Sequence, residues 1–348
     1  MNPYIPAILL FALGLGTTLT FASSHWLLAW MGLEINTLAI IPLMAQNHHP
    51  RAVEATTKYF LVQASAAAML LFASISNAWL TGQWDIQQMQ HPLPTTLITL
   101  ALAFKIGLAP LHSWMPEVLQ GLDLITGLIL STWQKLAPFC LILQLHTTSH
   151  EILITLGILS TFVGGWGGLN QTQLRKVLAY SSIAHLGWMI LVVQFSASLT
   201  LLTLLTYFIM TFSLFLVLKT SRSTNINTLS TAWAKVPALT SVLPLILLSL
   251  GGLPPLTGFF PKWMILQELA KQGLPFIATL AALSALLSLY FYLRLSYAMT
   301  LTLSPNSLTG TLPWRLPPHH HTLPLALSTT ATICLLPLSP ATMTLLSF

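Results

Sequence analysis

Long apolar segments constrain the fold of this chain more than any other feature. Eleven windows of about 20 residues are each apolar enough to cross the hydrocarbon core of a bilayer as a helix. They cover residues 3–21, 25–45, 57–80, 94–112, 124–145, 150–169, 175–195, 198–218, 238–268, 274–297 and 323–346. Only 6% of the 348 residues are charged, whereas soluble domains average about 25%. The sequence therefore predicts an all-α polytopic membrane protein with about eleven transmembrane helices.

Several kinds of site are not supported by the sequence. The net charge is +6, but the basic residues form no patch of the kind that nucleic-acid binding requires. Cys140 and Cys334 lie in apolar runs without a paired cysteine motif, so no disulfide, zinc or iron–sulfur site is expected. His319–His321 lie in a Pro-rich segment that we interpret as a solvated loop. Met1–Leu15 contains no Lys or Arg and predicts a retained first helix rather than a cleaved leader.

The charges between the spans predict an orientation. One face of the bundle, which also carries the N-terminus, collects nearly all basic residues. These are Arg51, Lys58, Arg175, Lys176, Lys219, Arg222, Lys235 and Arg315, with Arg294 near the edge. The opposite face collects Lys271 and little else. The positive-inside rule therefore predicts an N-terminus on the cytoplasmic or matrix side and a C-terminus outside.

A short motif occurs twice and predicts an internal repeat. Leu108–Pro116 and Leu253–Pro261 both read L-x-P-L-x4-P and lie five helices apart. An odd separation inverts the second copy, which predicts two inverted five-helix repeats, residues 1–149 and 150–298, followed by a loop and a C-terminal helix in 299–348. Proline removes a backbone donor, so each copy predicts a broken helix. Broken helices at matching positions of inverted halves indicate an ion or substrate path.

Four ionisable side chains lie inside apolar windows: Glu34, Lys105, Lys135 and Lys262. Each costs about 3 kcal/mol near the bilayer centre when it has no partner, which indicates a path that handles charge. We expect Glu34 and Lys105 to form an ion pair, because isolated buried charges are strongly disfavoured. The alternative for these two residues is a static buried ion pair without a role in proton transfer. The alternative for Lys262 is a side chain that extends to the membrane–water interface.

Two histidines extend the set of candidate relay residues. His112 lies in the first copy of the motif, and His185 lies within the seventh apolar window near Tyr180, Ser181 and Ser182. Histidine titrates near neutral pH and can shuttle protons. A hydrogen-bonded packing role is the alternative for each.

Three segments carry a resemblance to a known family: His25–Glu34, Lys105–Pro116 and Leu174–Gly187. They resemble the proton-translocating antiporter-like family, which comprises membrane subunits of respiratory complex I and relatives in multisubunit sodium/proton antiporters. The match runs essentially from end to end. Members typically have fourteen helices, and the resemblance implies that the three additional helices correspond to the first three of the family.

The resemblance also implies roles for the candidate residues. Glu34 and Lys105 match the family's membrane Glu/Lys pair, Lys135 its bridging lysine and Lys262 its terminal lysine. His112 and His185 match positions of the polar axis.

The function implied by the resemblance is proton translocation in the inner mitochondrial membrane, driven by electron transfer from NADH to ubiquinone elsewhere in the complex. The chain itself would then hold no cofactor, metal or redox centre. The implied partners are the other membrane subunits, including neighbouring antiporter-like subunits, together with accessory subunits and lipids. An independent ion/proton antiporter and a scaffold whose charges only fix helix register are the alternatives.

Overall fold

The computed structural model describes residues 4–45, 49–89, 91–145, 150–234, 236–302 and 322–346. Lys235, Arg315 and His319–His321 lie outside these ranges. The described residues form α-helices joined by short connections, with two isolated bridges and no strand, which confirms the predicted all-α class. The helices are α1 Tyr4–Ala22, α2 Trp26–Met44, α3 Pro50–Thr81, α4 Pro92–Ile106, α5 Trp114–Gly121, α6 Leu124–Ser131, α7 Trp133–Gln144, α8 His150–Gly168, α9 Leu174–Val192, α10 Ala197–Ser221, α11 Ile226–Ser230, α12 Pro237–Gly251, α13 Phe259–Lys271, α14 Pro275–Thr300, α15 Thr322–Cys334 and α16 Ser339–Leu346.

Every predicted apolar window overlaps one of these helices or a broken pair of them. Within the described ranges, seven helical segments are long and apolar enough to cross a membrane, or eight if the bent pair α15 and α16 is one span. Helices suit this environment because they satisfy their backbone hydrogen bonds internally. The exact number of eleven crossings stays a prediction.

The chain divides into two compact units, Met1–Gly157 and Ile158–Phe348, here called unit 1 and unit 2. In unit 1, α1 packs on α2 and α3 packs on α4. The contact between α1 and α2 is close, since a Cβ added at Gly16 of α1 would lie only 2.8 Å from the carbonyl oxygen of Gly32 on α2. Small residues of this kind let helix backbones approach within a membrane. In unit 2, α12 packs on α14, and α10 packs on α12 and α15.

Each unit contains one isolated antiparallel bridge that ties the start of a helix to a later connection. In unit 1 the bridge joins His25 to Asp85, and in unit 2 it joins Gln173 to Asn225. The amide of Leu174, the first residue of α9, donates to the carbonyl oxygen of Thr224 at 3.0 Å. The bridge in unit 2 therefore holds the beginning of α9 beside the end of α10.

Both copies of the Pro motif break their helices, as predicted. Between α4 and α5 the backbone turns at Gly107, and between α12 and α13 it turns at Gly252, with φ values of 86° and 82°. Each glycine follows the last helical residue, and its amide donates to a carbonyl four residues back, at 2.9 Å and 3.1 Å respectively. Glycine is suited to this left-handed cap because it has no Cβ.

The two broken helices correspond residue by residue at a constant offset of 145, from 92 to 237, from 106 to 251 and from 114 to 259. The helices α1 and α8, and α2 and α9, follow nearly the same offset. The inverted orientation of the repeats and their limits at 1–149 and 150–298 stay predictions.

One break was not predicted. The window 124–145 contains two helices, α6 and α7, separated at Thr132. Pro138 cannot donate a hydrogen bond to the carbonyl oxygen of Gln134, so the helix loses one of its bonds there. The amide of Lys135 bonds to Thr132 only three residues back, at 3.2 Å. Lys135 therefore lies in the first turn of α7, while α6 and α7 together still form one apolar span of 21 residues, Leu124–Gln144.

Candidate functional site

Unit 1 contains a small polar cavity that brings Lys105 and Lys135 together. Its volume is about 10 Å³, measured as the space open to the centre of a water-sized sphere, and this is close to what one water molecule requires. The other polar side chains of its lining come from α2, α3, α5 and α7. They are Asn36, Thr37, Tyr59, Gln63, Trp114 and Gln134.

Lys105 is buried, and the ion pair expected between it and Glu34 is absent. Its side chain is 6% exposed, and among the described residues its Nζ has no hydrogen-bond partner and no carboxylate within 4.0 Å. Instead, Glu34 Oε2 accepts a hydrogen bond at 3.0 Å from the hydroxyl of Thr37, one turn along the same helix. Glu34 still acts on Lys105 through the longer-range Coulomb interaction. The prediction of a direct pair was therefore wrong.

Two amide side chains fix the helices that surround the cavity. The Gln63 amide of α3 donates to the carbonyl oxygen of Lys105 at 3.3 Å, near the end of α4. The Gln134 amide of α7 donates to the carbonyl oxygen of Asn36 on α2 at 3.2 Å. Gln134 precedes Lys135, which is 2% exposed, so this contact also positions Lys135.

Three buried polar groups in the lining have no hydrogen-bond partner among the described residues: the side-chain amide of Asn36, Lys105 Nζ and Trp114 Nε1. Burying such a group without a partner is costly. A polar cavity of this size with two to four polar groups around it suits an ordered water. The site therefore has the chemistry of a hydrated pocket and not that of a leucine-lined core.

Glu34 and His112 do not line this cavity. Glu34 is half-buried on α2. His112 lies in the connection between α4 and α5, and its Nδ1 lies 3.2 Å from the carbonyl oxygen of Pro110. A relay role for His112 stays a prediction.

Lys262, in the first turn of α13, turns back onto the end of α12. Its Nζ donates to the carbonyl oxygen of Gly251 at 2.8 Å and to that of Leu250 at 3.3 Å. These carbonyls have no partner within α12, and they carry the negative end of its dipole. A Cβ added at Gly252 would lie 2.9 Å from Lys262 Cδ. The observed geometry disfavours the alternative in which Lys262 extends to the interface.

A second cavity, in unit 2, brings His185 and Lys262 together. Its volume, measured in the same way, is about 20 Å³. The ring of His185 lies 5.6 Å from that of Tyr207, centroid to centroid, and Tyr207 is hydrogen-bonded to Ser182. The remaining lining residues include Trp188, Met189, Thr203, Thr206 and Met210. His185 and Lys262 therefore line the same cavity, and a relay role for either residue stays a prediction.

The ion pairs of the described residues lie away from both cavities. Lys58 contacts Glu54 and Glu117, each at 2.9 Å, and Lys271 lies 3.9 Å from Glu268. Glu117 lies in the first turn of α5. Lys105 and Lys262 lie outside these ion pairs.

Sequence reasoning missed the uncharged members of these sites. Asn36, Gln63 and Gln134 are amides inside apolar windows, and Asn36 lies two residues after Glu34. An amide that interrupts an apolar run was the available signal.

Comparison with known proteins assigns the chain to a family. Residues 23–288 match the family described as NADH:quinone oxidoreductase/Mrp antiporter, TM, and residues 289–343 match the NADH dehydrogenase subunit 2 C-terminus. The chain is 72% identical, over 99% of both chains, to a Tetraodon nigroviridis protein named NADH-ubiquinone oxidoreductase chain 2.

Two solved structures share the fold. One chain of respiratory complex I from Thermus thermophilus with bound aureothin is 30% identical, with a TM-score of 0.87, over 99% of this chain and 80% of that chain. One chain of the Mrp complex from Dietzia sp. is 18% identical, with a TM-score of 0.85, over 97% of this chain and 76% of that chain, and this shows the fold alone. The chain belongs to the NADH:quinone oxidoreductase/Mrp antiporter transmembrane family.

Proposed function

We propose that the chain is a proton-translocating core membrane subunit of NADH:ubiquinone oxidoreductase. The observation that carries this proposal is the burial of Lys105 and Lys135 in one polar cavity, without a carboxylate in contact with Lys105. The 72% identity to a relative named NADH-ubiquinone oxidoreductase chain 2 supports the placement in this complex. Oxidation of NADH and reduction of ubiquinone take place on other subunits, and their free energy drives proton pumping.

The proton path includes Glu34, Lys105, Lys135 and Lys262. Two ammonium groups around one small cavity repel each other strongly, because the local dielectric constant is low. A proton that arrives on one lysine therefore favours release from the other. Loss of the nearby negative charge of Glu34 releases the Lys105 proton sideways toward Lys135.

In unit 2 the proton is held on Lys262 by the carbonyl oxygens at the end of α12. His185, which lines the same cavity, accepts and returns it. His112 supplies a further relay position near the first broken helix.

The proposed location is the inner mitochondrial membrane, with the N-terminus on the matrix side and the C-terminus on the intermembrane-space side. The excess of basic residues on one face supports this orientation. Neighbouring antiporter-like subunits, other membrane subunits, accessory subunits and lipids surround the chain.

The test is the ratio of protons translocated per NADH oxidised by the intact complex in liposomes. Lys105→Met should lower this ratio because a thioether cannot carry a proton. Lys271→Met is the matched control, since that lysine is exposed and lies near Glu268. An unchanged ratio in Lys105→Met would remove Lys105 from the path.

Two alternatives have distinct outcomes. The fold is shared with the Dietzia Mrp complex, and an independent antiporter would show ion-dependent proton transport when this chain alone is placed in liposomes. In a scaffold, joint replacement of Glu34 and Lys105 by Gln and Met would preserve pumping and alter assembly.

A further inference from the structure

Thr257, in the connection between α12 and α13, ties the second broken helix to the C-terminal part of the chain. Its hydroxyl donates to the carbonyl oxygen of Thr332 on α15 at 2.6 Å, across 75 residues of sequence. Both residues are buried, with exposed fractions of 5% and 0%. The distance lies at the short end of the normal range for a hydroxyl donor. The connection that precedes Lys262 is therefore anchored on a helix outside the broken pair.

The acceptor of this hydrogen bond belongs to a helix end. Thr332 lies in the last turn of α15, which ends at Cys334, and the carbonyls of a last turn have no partner within their own helix. The chain then bends by 69° into α16, and Pro337 in this bend has no N–H to donate. A buried carbonyl without a donor is costly. The Thr257 hydroxyl therefore stabilises both the end of α15 and the connection that it belongs to.

The connection between α12 and α13 relies on neighbouring helices for its position. Pro254 and Pro255 lack an N–H group, so its backbone can donate few hydrogen bonds. Gly258, the last residue of the connection, packs closely against α12 and α10. A Cβ added there would overlap the carbonyl oxygen of Ser249 and would lie 3.2 Å from the sulfur of Met210. Contacts with α10, α12 and α15 therefore fix this short segment.

The anchored segment leads directly to Lys262. Thr257 precedes Gly258, which lines the same cavity as Lys262. Lys262 follows in the first turn of α13 and donates to the carbonyl oxygens at the end of α12. Two side chains of one short segment thus bind the C-terminal ends of two helices, α15 through Thr257 and α12 through Lys262. Loss of the first contact would let the segment move and would change the second.

The anchor comes from a part of the chain outside the shared transmembrane domain. Thr257 lies within residues 23–288, which match the NADH:quinone oxidoreductase/Mrp antiporter family. Thr332 lies within residues 289–343, which match the NADH dehydrogenase subunit 2 C-terminus. At the offset of 145, Thr257 corresponds to His112 of the first motif copy, so the two copies differ at this position. The position of Lys262 therefore depends on a C-terminal region that has a family model of its own.

We propose that Thr257 is a positioning residue for Lys262, and that α15 holds the second broken helix in the geometry that proton transfer requires. Thr257 acts through the backbone of residues 257–262 and does not itself carry the proton. This inference rests on the proposed function, because the position of Lys262 affects pumping only if Lys262 lies on the proton path.

The test is the ratio of protons pumped per NADH oxidised by the intact complex in liposomes. Thr257→Val removes the hydroxyl and keeps the volume of the side chain, so it should cause most of the loss measured in Lys262→Met. Thr257→Ser keeps the hydroxyl and should restore the ratio. Rescue by serine separates the hydrogen bond from packing, and native gels compare the amount of assembled complex.

Two other buried threonines of unit 2 are matched controls. Thr240 on α12 and Thr329 on α15 donate their hydroxyls to carbonyls of the preceding turn of the chain. Thr240→Val and Thr329→Val make the same chemical change on the two anchored helices without breaking a contact between them. Both variants should keep the wild-type ratio.

The outcomes distinguish this inference from the proposed function. A wild-type ratio in Thr257→Val combined with a lowered ratio in Lys262→Met would overturn the positioning role alone. A wild-type ratio in Lys262→Met would remove Lys262 from the path and end the positioning role with it. Equal losses in Thr257→Val and Thr257→Ser, or an equal loss in Thr240→Val, would assign the effect to packing and would also overturn the inference.

A density map of the wild-type complex gives a second test that does not depend on assembly of the variants. The hydroxyl of Thr257 should lie within hydrogen-bonding distance of the Thr332 carbonyl while Lys262 contacts the end of α12. A map in which Lys262 makes its contacts and Thr257 is separated from α15 would overturn the positioning role.

Discussion

Replacing Gly252 with alanine would place a methyl group against the side chain of Lys262. Gly252 has φ of 82°, and a Cβ there would lie 2.9 Å from Lys262 Cδ, 3.1 Å from its Nζ and 3.3 Å from its Cε. These distances require the lysine to move away from the carbonyl oxygens of Gly251 and Leu250, to which it donates.

The expected magnitude has two parts. The left-handed backbone costs alanine about 1–2 kcal/mol. Loss of hydrogen bonds from the charged amino group costs a further 1.5–3 kcal/mol, roughly, which corresponds to a factor of about 10 to 100 in an equilibrium constant. Only the second part concerns proton transfer.

Gly273→Ala is the control that isolates this second part. Gly273 has φ of 72° and lies in the same unit, but nothing lies within 4 Å of an added Cβ. Both variants should lose stability from the backbone conformation. Only Gly252→Ala should lower the number of protons pumped per NADH, measured in liposomes with a pH-sensitive dye. Equal pumping by the two variants would refute the role assigned to the Lys262 contacts.

Three further substitutions lie in unit 1, and the first two change the lining of its cavity. Asn36→Leu replaces the amide with an apolar group of similar size and should slow pumping about tenfold. The control is Thr99→Val, which is buried on α4 outside the cavity lining and should not slow pumping. Equal pumping rates in the two variants would exclude Asn36 from the proton path. Trp114→Phe keeps the aromatic packing but removes the Nε1 donor, so pumping should slow more than in Trp26→Phe, whose buried Nε1 lies outside the lining. Lys58→Met should leave pumping unchanged and alter stability by less than about 1 kcal/mol, because its ion pairs are solvent-exposed; thermal unfolding of the complex checks this.

The broken helices could be predicted from sequence because their causes are local. Proline removes a donor wherever it occurs, and Gly107 and Gly252 each supply a left-handed cap just before the prolines. The two copies of the motif therefore indicated both breaks and their correspondence. The break at Thr132 was missed because the sequence there has no glycine, and Pro138 lies six residues further on.

The pairing of charges could not be predicted with the same success. Glu34 and Lys105 have opposite charges, but their separation depends on how α2 and α4 pack. Thr37, one turn from Glu34, supplies a hydrogen bond that needs no second helix. Local bonding of this kind competes with an ion pair and holds the carboxylate on its own helix.

The position of His185 and Lys262 at one cavity also depends on tertiary structure. The two residues lie on α9 and α13, and no sequence spacing relates them. Likewise, Asn36, Gln63 and Gln134 acquire their significance only when α2, α3 and α7 are seen around one cavity.

The most direct measurement is a density map of the intact complex at a resolution that shows ordered water molecules. Hydration of the unit 1 cavity predicts a water within hydrogen-bonding distance of Lys105 Nζ and the Asn36 amide, on the side that faces Lys135. A carboxylate bonded directly to Lys105, or apolar side chains that fill the cavity and leave it dry, would contradict proton transfer through these lysines.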